Sequence, residues 1–204
     1  METVAVNPPY PPTLPCMDLE LGGRVVLVVG GTGLIGRKVV ERLRTEGATV
    51  VPASRRAEDG VTMDASVAES VTRALAAVVE QHGRLDAVVV AAAPSAQSLD
   101  ASRHADPDQV LSAIDAKAMA FLRVANAALP IMTGAGYGRI VGVSGQNAFF
   151  TGNVTGSVRN AALIVAAKNL ADAVAGSGVT VNIVNPGMVS ASPSLQRRKC
   201  PARR

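Results

Sequence analysis

A glycine-rich turn between an apolar run and a helical pattern is the feature that most constrains the fold of this chain. The run Val25–Val29 is almost entirely β-branched, and Gly30, Gly33 and Gly36 follow it at intervals of three residues. The first glycine can take a tight turn off a strand, and the second leaves room for a phosphate group to approach the backbone. The third lets the next helix pack close to the sheet, and the N–H groups at the start of that helix attract an anion.

This pattern predicts a strand–turn–helix unit that binds the phosphates of a dinucleotide. A tight turn without a ligand is the alternative, because three-glycine patterns also arise by chance. The predicted binding residues in this segment are Gly30, Thr32, Gly33, Leu34, Ile35 and Gly36.

The rest of the chain alternates apolar runs with helical patterns. The other predicted strands cover residues 48–53, 85–92, 139–144 and 179–184, and the predicted helices cover 34–46, 66–82, 106–132 and 157–175. Strands without polar alternation are buried on both faces, and strands separated by helices join into a parallel sheet through right-handed crossovers. The sequence therefore predicts an α/β fold with a doubly wound parallel sheet in three layers.

Charge and proline content divide the 204 residues into a globular body and two tails. Residues 1–16 form a Pro-rich arm and residues 190–204 a basic tail without acids, and we expect both to be disordered. The net charge of +4 comes from that tail, because residues 17–189 are neutral overall. Such a tail can contact nucleic acid or a membrane surface, but a solvated end is favoured. An aromatic content of 2% also argues against modules that stack bases.

The sequence disfavours membrane insertion, secretion and metal binding. No apolar run approaches the ~18 residues of a membrane span, and the N-terminus lacks the basic and apolar regions of a signal peptide. Cys16 and Cys200 lie in the two tails without the spacing of metal ligands or of a disulfide framework. We therefore expect a cytoplasmic protein with no metal ion, no membrane partner and no nucleic-acid partner.

Over roughly residues 22–190 the chain resembles the short-chain dehydrogenase/reductase family. The resemblance rests on the glycine turn, on the strand segment Gly138–Ser144 and on the strand that ends in Asn185-Pro186-Gly187. It implies a Rossmann fold that binds NAD(P) and a small-molecule carbonyl or alcohol substrate. It also implies a homodimer or homotetramer built on the helices near 107–132 and 157–175. After Gly187 the sequence departs from the family pattern, as a truncated or frame-shifted chain would, so we expect the fold to be incomplete at its C-terminal end.

The segment after the second strand, Ser54-Arg55-Arg56, resembles that of family members that use NADP(H). A guanidinium can pair with the 2′-phosphate of NADP(H), whereas NAD(H) would call for an acid at this point. NADP(H) is therefore the expected cofactor and NAD(H) the alternative, and a solvated loop would equally account for the arginines. The resemblance also places Asp64 near the adenine amine, Ala92 after the fourth strand, and Pro186 and Gly187 at the nicotinamide end.

The catalytic residues of the family are not matched. Its Asn, Ser, Tyr and Lys positions fall on Asp115, Gly145, Gly156 and Asn160, and a shifted register puts Tyr and Lys on Val158 and Ala162. Neither register supplies the phenol or the ammonium that an acid–base pair requires. Ser144 lies one residue before the serine position and, by strand alternation, should face the opposite side.

Two functional hypotheses remain open on the sequence alone. By family resemblance the chain is an oxidoreductase acting on a carbonyl and alcohol pair with NADP(H). By its residues it is a catalytically inactive nucleotide-binding protein, acting as a sensor or scaffold or surviving as a truncated remnant.

Overall fold

Six strands pair in parallel in the order β3-β2-β1-β4-β5-β6 in the computed structural model, which describes residues 18–94, 98–187 and 189. The strands are β1 Val25–Val29, β2 Thr49–Ser54, β3 Val61–Thr62, β4 Ala87–Val90, β5 Gly138–Val143 and β6 Val179–Val184. The helices are α1 Leu34–Thr45, α2 Ala68–His82, α3 Pro107–Ile114, α4 Ala120–Gly134 and α5 Val154–Ala173. The order reverses between β1 and β4, so the carboxyl ends of these two strands border the crevice in which doubly wound folds bind ligands.

The core has one cluster on each face of the sheet. On one face Val26 and Val28 of β1 pack against α1. On the other face Leu27 and Val29 join a larger cluster from α2, α4 and α5. Alternate residues of β1 thus supply both faces, which is why the strand is apolar throughout. The predicted three-layer, doubly wound α/β fold is confirmed.

The predicted helix over 106–132 is interrupted by one π-helical turn, Asp115–Met119, between α3 and α4. A π turn adds a residue to the helix and changes which side chains face inward. Here it buries Lys117 and Ala118. Helix α5 begins at Val154, earlier than predicted, because the side chain of Asn153 accepts a hydrogen bond of 2.7 Å from the Gly156 amide and caps the helix. Strand β4 spans Ala87–Val90, shorter than the predicted 85–92.

The predicted arm at 1–16 and tail at 190–204, with Cys16 and Cys200, lie outside the described residues. Within the described part of the chain, no helix is long and apolar enough to cross a membrane.

Candidate cofactor and substrate site

The glycine-rich turn is shaped by two contacts that only glycine permits. Gly30 has a φ of +81°, and a Cβ there would lie 2.7 Å from the amide nitrogen of Ala92 at the end of β4. A Cβ on Gly36 would lie 2.0 Å from the carbonyl oxygen of Gly30. The roles predicted for these glycines, a tight turn and close packing of helix on strand, are therefore both present. Ala92, a predicted cofactor residue, forms the wall of the turn.

Gly33 has a different environment, because it is the N-cap of α1 and is exposed. A Cβ on Gly33 would meet a single close atom, the carbonyl oxygen of Gly30 at 3.3 Å, and its φ of −75° suits any residue. No side chain of the described residues caps this helix N-terminus, so the first amides of α1 are available to an anion. Thr32 and Leu34 are exposed beside it and Ile35 is half-buried.

The end of β2 forms a cleft with the glycine turn. Thr32, Ser54, Arg55 and Arg56 line a volume of about 500 Å³, and both arginines are exposed. The buried hydroxyl of Ser54 has no hydrogen-bond partner among the described residues. The structure therefore brings together the predicted residues of the turn and of the second strand, and leaves a polar atom there for a ligand.

Asp64 follows β3, at the same carboxyl ends of the strands as the glycine turn and the end of β2. Hydrogen bonds from the hydroxyl and the amide of Ser66 hold the pKa of Asp64 below its usual value, and the positive charge of Arg55 acts in the same direction. The carboxylate is therefore ionised at neutral pH and close enough to Arg55 to feel its charge.

Three of the four positions mapped as catalytic lie together where β5 ends. A Cβ on Gly145 would lie 3.2 Å from the side-chain nitrogen of Asn160, which is buried on α5. Gly156 lies one turn earlier in α5, and a Cβ there would meet the side chains of Asn147 at 3.0 Å and Asn153 at 3.2 Å. The mapping is thus spatially coherent, although the residues present offer amides and bare backbone instead of a phenol and an ammonium.

Asp115, the fourth mapped position, does not join this group. Its side chain is half exposed and forms an ion pair of 2.7 Å with Arg123. An ion-paired carboxylate on the outside of the π turn is committed to a structural contact.

Ser144 is buried, and its hydroxyl donates a hydrogen bond of 3.1 Å to the carbonyl oxygen of Asn160. The expectation that Ser144 faces away from the side of Gly145 is wrong, since both residues lie against α5. The reason is that β5 ends at Val143, so strict strand alternation no longer applies to the residues that follow.

The predicted Pro-Gly turn after β6 reaches the same place. The amide of Gln146 donates a hydrogen bond of 3.2 Å to the carbonyl oxygen of Pro186. A Cβ on Gly187 would lie 3.1 Å from the side-chain oxygen of Gln146. Pro186 and Gly187 therefore border the group formed by Gly145, Gly156 and Asn160.

Two buried cations in this region were not predicted from the sequence. The ammonium of Lys117 donates a hydrogen bond of 3.1 Å to the carbonyl oxygen of Ser144. The guanidinium of Arg159 donates one of 3.4 Å to the carbonyl oxygen of Pro94 after β4. Arg159 precedes Asn160 on the inward face of α5, with Thr155, Gly156, Leu163 and Ala167. No apolar stripe marked this face in the sequence, because α5 buries the polar Arg159 and Asn160 and exposes Val165.

Among the described residues, Tyr137 is the only tyrosine. It lies at the N-terminal ends of the strands, immediately before β5 begins. Its ring is flanked by the guanidinium groups of Arg24 at 4.2 Å and Arg139 at 4.3 Å. Because the mapped catalytic positions follow the carboxyl end of β5, this phenol cannot reach them.

The residues present fit the phosphate and ribose portions of a dinucleotide. The turn offers free helix amides, an exposed glycine and a cleft that carries two arginines and the unpartnered Ser54 hydroxyl. The described residues contain no group of three or more His, Cys, Asp or Glu side chains placed to hold a metal ion.

Comparisons with known proteins agree with this geometry. The family described as short chain dehydrogenase matches residues 24–200. Dehydrogenase/reductase SDR family member 4 of Bos taurus is 32% identical, over 90% of this chain and 72% of that protein. Short-chain reductase protein NovJ of Streptomyces niveus is 29% identical, over 81% of this chain and 69% of that protein. A crystal structure of a short-chain dehydrogenase from Streptomyces avermitilis superposes with a TM-score of 0.75 at 26% identity, covering 83% of this chain and 68% of that one. The chain therefore belongs to the short chain dehydrogenase family, whose members are oxidoreductases that bind NAD(P).

Proposed function

We propose that this chain is an oxidoreductase that uses NADP(H) in preference to NAD(H) and acts on a carbonyl and alcohol pair. The observation that carries the cofactor assignment is the cleft formed by Thr32, Ser54, Arg55 and Arg56. Two guanidinium groups at the end of β2 suit a 2′-phosphate, because hydrogen bonds between charged groups are stronger than neutral ones. The acid that would pair with a free ribose hydroxyl is missing from this segment.

The proposed binding path runs along the carboxyl edge of the sheet. Gly30, Gly33 and the first amides of α1 would hold the pyrophosphate. Asp64 would lie near the adenine, and Pro186 with Gly187 would border the nicotinamide. The nicotinamide supplies the hydride when it is bound, and the group around Gly145 and Asn160 faces the substrate.

The chain's own residues supply little acid–base chemistry at that point. Asn160 can donate or accept a hydrogen bond, and the Ser144 hydroxyl is already bonded to the Asn160 carbonyl. General acid catalysis typically contributes about 10²–10⁴-fold to a rate. An oxidoreductase with this site should therefore be slow, unless the substrate carries its own proton donor or reacts without one. A second candidate function is nucleotide binding without hydride transfer, because Gly145, Gly156 and Asn160 supply no hydroxyl, phenol or ammonium.

We also propose a homodimer or homotetramer that associates through the helices near 107–132 and 157–175. Among the described residues, α5 exposes Val154, Val158 and Val165 to solvent, and Val165 is 60% exposed. Apolar side chains on one outward helix surface favour association. A monomeric mass by light scattering at micromolar concentration would contradict this assignment.

A paired measurement tests the function. Calorimetric titrations of the purified chain with NADPH and NADH measure binding. The decrease in NADPH absorbance, from one fixed starting concentration, measures cofactor consumption with a panel of aldehydes and ketones. We expect NADPH to bind at least about tenfold tighter than NADH, which corresponds to about 1.4 kcal/mol. Consumption that is lost in Gly33→Val supports the oxidoreductase, and binding without consumption supports the second candidate. Equal affinities, or a preference for NADH, would overturn the cofactor assignment.

A further inference from the structure

Lys117 and Arg159 are two buried cations in the region where β4 and β5 end. Their side chains come from different elements, Lys117 from the π turn before α4 and Arg159 from α5. Lys117 is 7% exposed and Arg159 is 5% exposed. The pKa of Lys117 is lowered to about 8, mainly by burial and to a smaller extent by the positive charge of Arg159. The two charges are therefore within electrostatic reach of each other.

Neither cation has a counter-charge in the part of the chain that the structure describes. None of the ion pairs between described residues includes Lys117 or Arg159, and Asp115 in the same π turn pairs with Arg123 instead. Among the described residues, Lys117 donates to the carbonyl oxygen of Ser144 and Arg159 to that of Pro94, and to no other group. The Nε–H of Arg159 is buried and has no hydrogen-bond partner in the described part of the chain. Two unpaired buried cations repel each other, and their burial destabilises the fold unless an anion binds between or beside them.

We propose that Lys117 and Arg159 form an oxyanion-binding site that holds a carboxylate group of the substrate. The Nε–H of Arg159 is a free donor, and the planar guanidinium matches a carboxylate through two parallel hydrogen bonds. The ammonium of Lys117 adds a second positive charge, carried by a different element of the fold.

The position of the pair connects it to the reacting group. The Ser144 carbonyl oxygen accepts the hydrogen bond from Lys117. The next residue is Gly145, where a Cβ would lie 3.2 Å from the side-chain nitrogen of Asn160. Asn160 adjoins Arg159 in α5, and its buried side-chain oxygen accepts no hydrogen bond from any residue that the structure describes. A carboxylate on the cations would thus leave its neighbouring carbonyl beside Gly145 and Asn160. The substrate class is therefore an oxo acid or a hydroxy acid, and this assignment rests on the proposed function.

The binding site itself is tested without cofactor, so that its failure is distinct from failure of the proposed function. The full chain is titrated calorimetrically with pyruvate and with methyl pyruvate, its neutral ester, in chloride buffer at pH 7. We expect saturable binding of pyruvate and none of the ester. Arg159→Gln and Lys117→Met should each weaken pyruvate binding at least tenfold. Lys168→Met, which removes an exposed ammonium from α5, should leave it unchanged.

A parallel titration with inorganic phosphate separates two sources of the same chemistry. Binding of pyruvate, whether or not phosphate competes, supports a carboxylate site. Binding of phosphate alone would overturn the carboxylate assignment, and an absence of binding by either anion would overturn the site.

A stability measurement distinguishes an anion site from a structural pair and applies even if binding is weak. In chloride buffer without oxyanions, Lys117→Met and Arg159→Met should melt no lower than Lys168→Met, because each removes an uncompensated buried charge. Added pyruvate should raise the melting temperature of the wild type and of Lys168→Met, but not that of Lys117→Met or Arg159→Met. A fall of several degrees in both buried variants in chloride would show that the cations hold the fold together, and would contradict the proposal.

Discussion

A Cβ placed on Gly145 lies 3.2 Å from the side-chain nitrogen of Asn160. The strand end and the helix that should present the hydroxyl and the ammonium of the family therefore face each other at contact distance, with neither group present. We therefore expect side-chain identity to limit catalysis at this site, because Gly145 and Asn160 supply neither group.

This arrangement predicts that activity can be raised by restoring the side chains. We expect wild-type turnover to lie far below the usual ~10 s⁻¹, and the triple variant Gly145→Ser, Gly156→Tyr, Asn160→Lys to exceed it by about 10²-fold or more. Steady-state NADPH oxidation with quinones and dialdehydes measures both. The side chains of Asn147 and Asn153 must yield to a residue at 156, since they lie 3.0 and 3.2 Å from a Cβ there.

The control is Gly145→Ser alone, which should change the rate little because residues of a catalytic unit do not act additively. Wild-type turnover near 1 s⁻¹ that is lost in Gly33→Val would show that an unrecognised acid serves the site.

The two arginines after β2 should determine cofactor preference. Arg55→Ala with Arg56→Ala should weaken NADPH binding and leave NADH binding nearly unchanged, because hydrogen bonds to a charged group contribute about 1.5–3 kcal/mol. Calorimetry with each cofactor measures the change. Arg73→Ala, which removes an exposed arginine from α2, is the matched control. An equal loss for both cofactors would assign the arginines to general attraction.

Gly33 and Gly36 should separate binding from folding. Gly36→Ala should prevent stable folding, because its Cβ would lie 2.0 Å from a backbone oxygen. Gly33→Val should fold with a loss of about 1 kcal/mol for the poorer N-cap, but should no longer bind dinucleotide. Thermal melting and cofactor titration of both variants check this. Unchanged NADPH affinity in Gly33→Val would mean that the turn is purely structural.

Asp86 should make stability depend on acid pH. Burial by itself raises the pKa of Asp86, but hydrogen bonds from Arg84, the Val25 amide and Arg24 outweigh it, and the pKa is lowered overall. A lowered folded pKa means that the stabilisation is present above the unfolded value of about 3.9 and is lost as the pH falls through the folded value.

Asp86→Asn should therefore cost about 1.5–3 kcal/mol at pH 7 and less at pH 3, because the stabilisation declines from about pH 3.9 downward through the lowered folded value. Urea unfolding at both pH values measures the difference. Asp172→Asn, which breaks an exposed ion pair with Lys168, should have little effect at either pH. An equal cost at both pH values would contradict the role of the Asp86 charge.

Lys117 should make stability rise at alkaline pH. Its pKa falls from the ordinary 10.5 to about 8 in the folded chain, first through burial and then through the charge of Arg159. Between these values the unfolded chain holds a proton that the folded chain has lost, so raising the pH favours the folded state. Urea unfolding of wild type and Lys117→Met at pH 7.5 and 9.5 should show this rise in the wild type only. Lys168→Met should behave as the wild type does.

Much of the fold followed from local chemistry in the sequence. The strands are apolar without alternation because the parallel sheet buries both faces of β1, with Val26 and Val28 toward α1 and Leu27 and Val29 toward the other helices. The glycine spacing was readable because Gly30 and Gly36 meet within a single turn. The absence of a tyrosine after Tyr137 is likewise a property of the sequence alone.

Tertiary structure alone decided the inner face of α5 and the direction of Ser144. Polar and apolar residues are not segregated into a stripe on this helix, because it buries Arg159 and Asn160 and exposes Val158 and Val165. A periodicity argument therefore could not find the buried cations. Their burial depends on the π turn that directs Lys117 inward, and on the end of β5, which brings Ser144 and Gly145 together against α5. These contacts join segments distant in the chain, and local propensity carries no information about them.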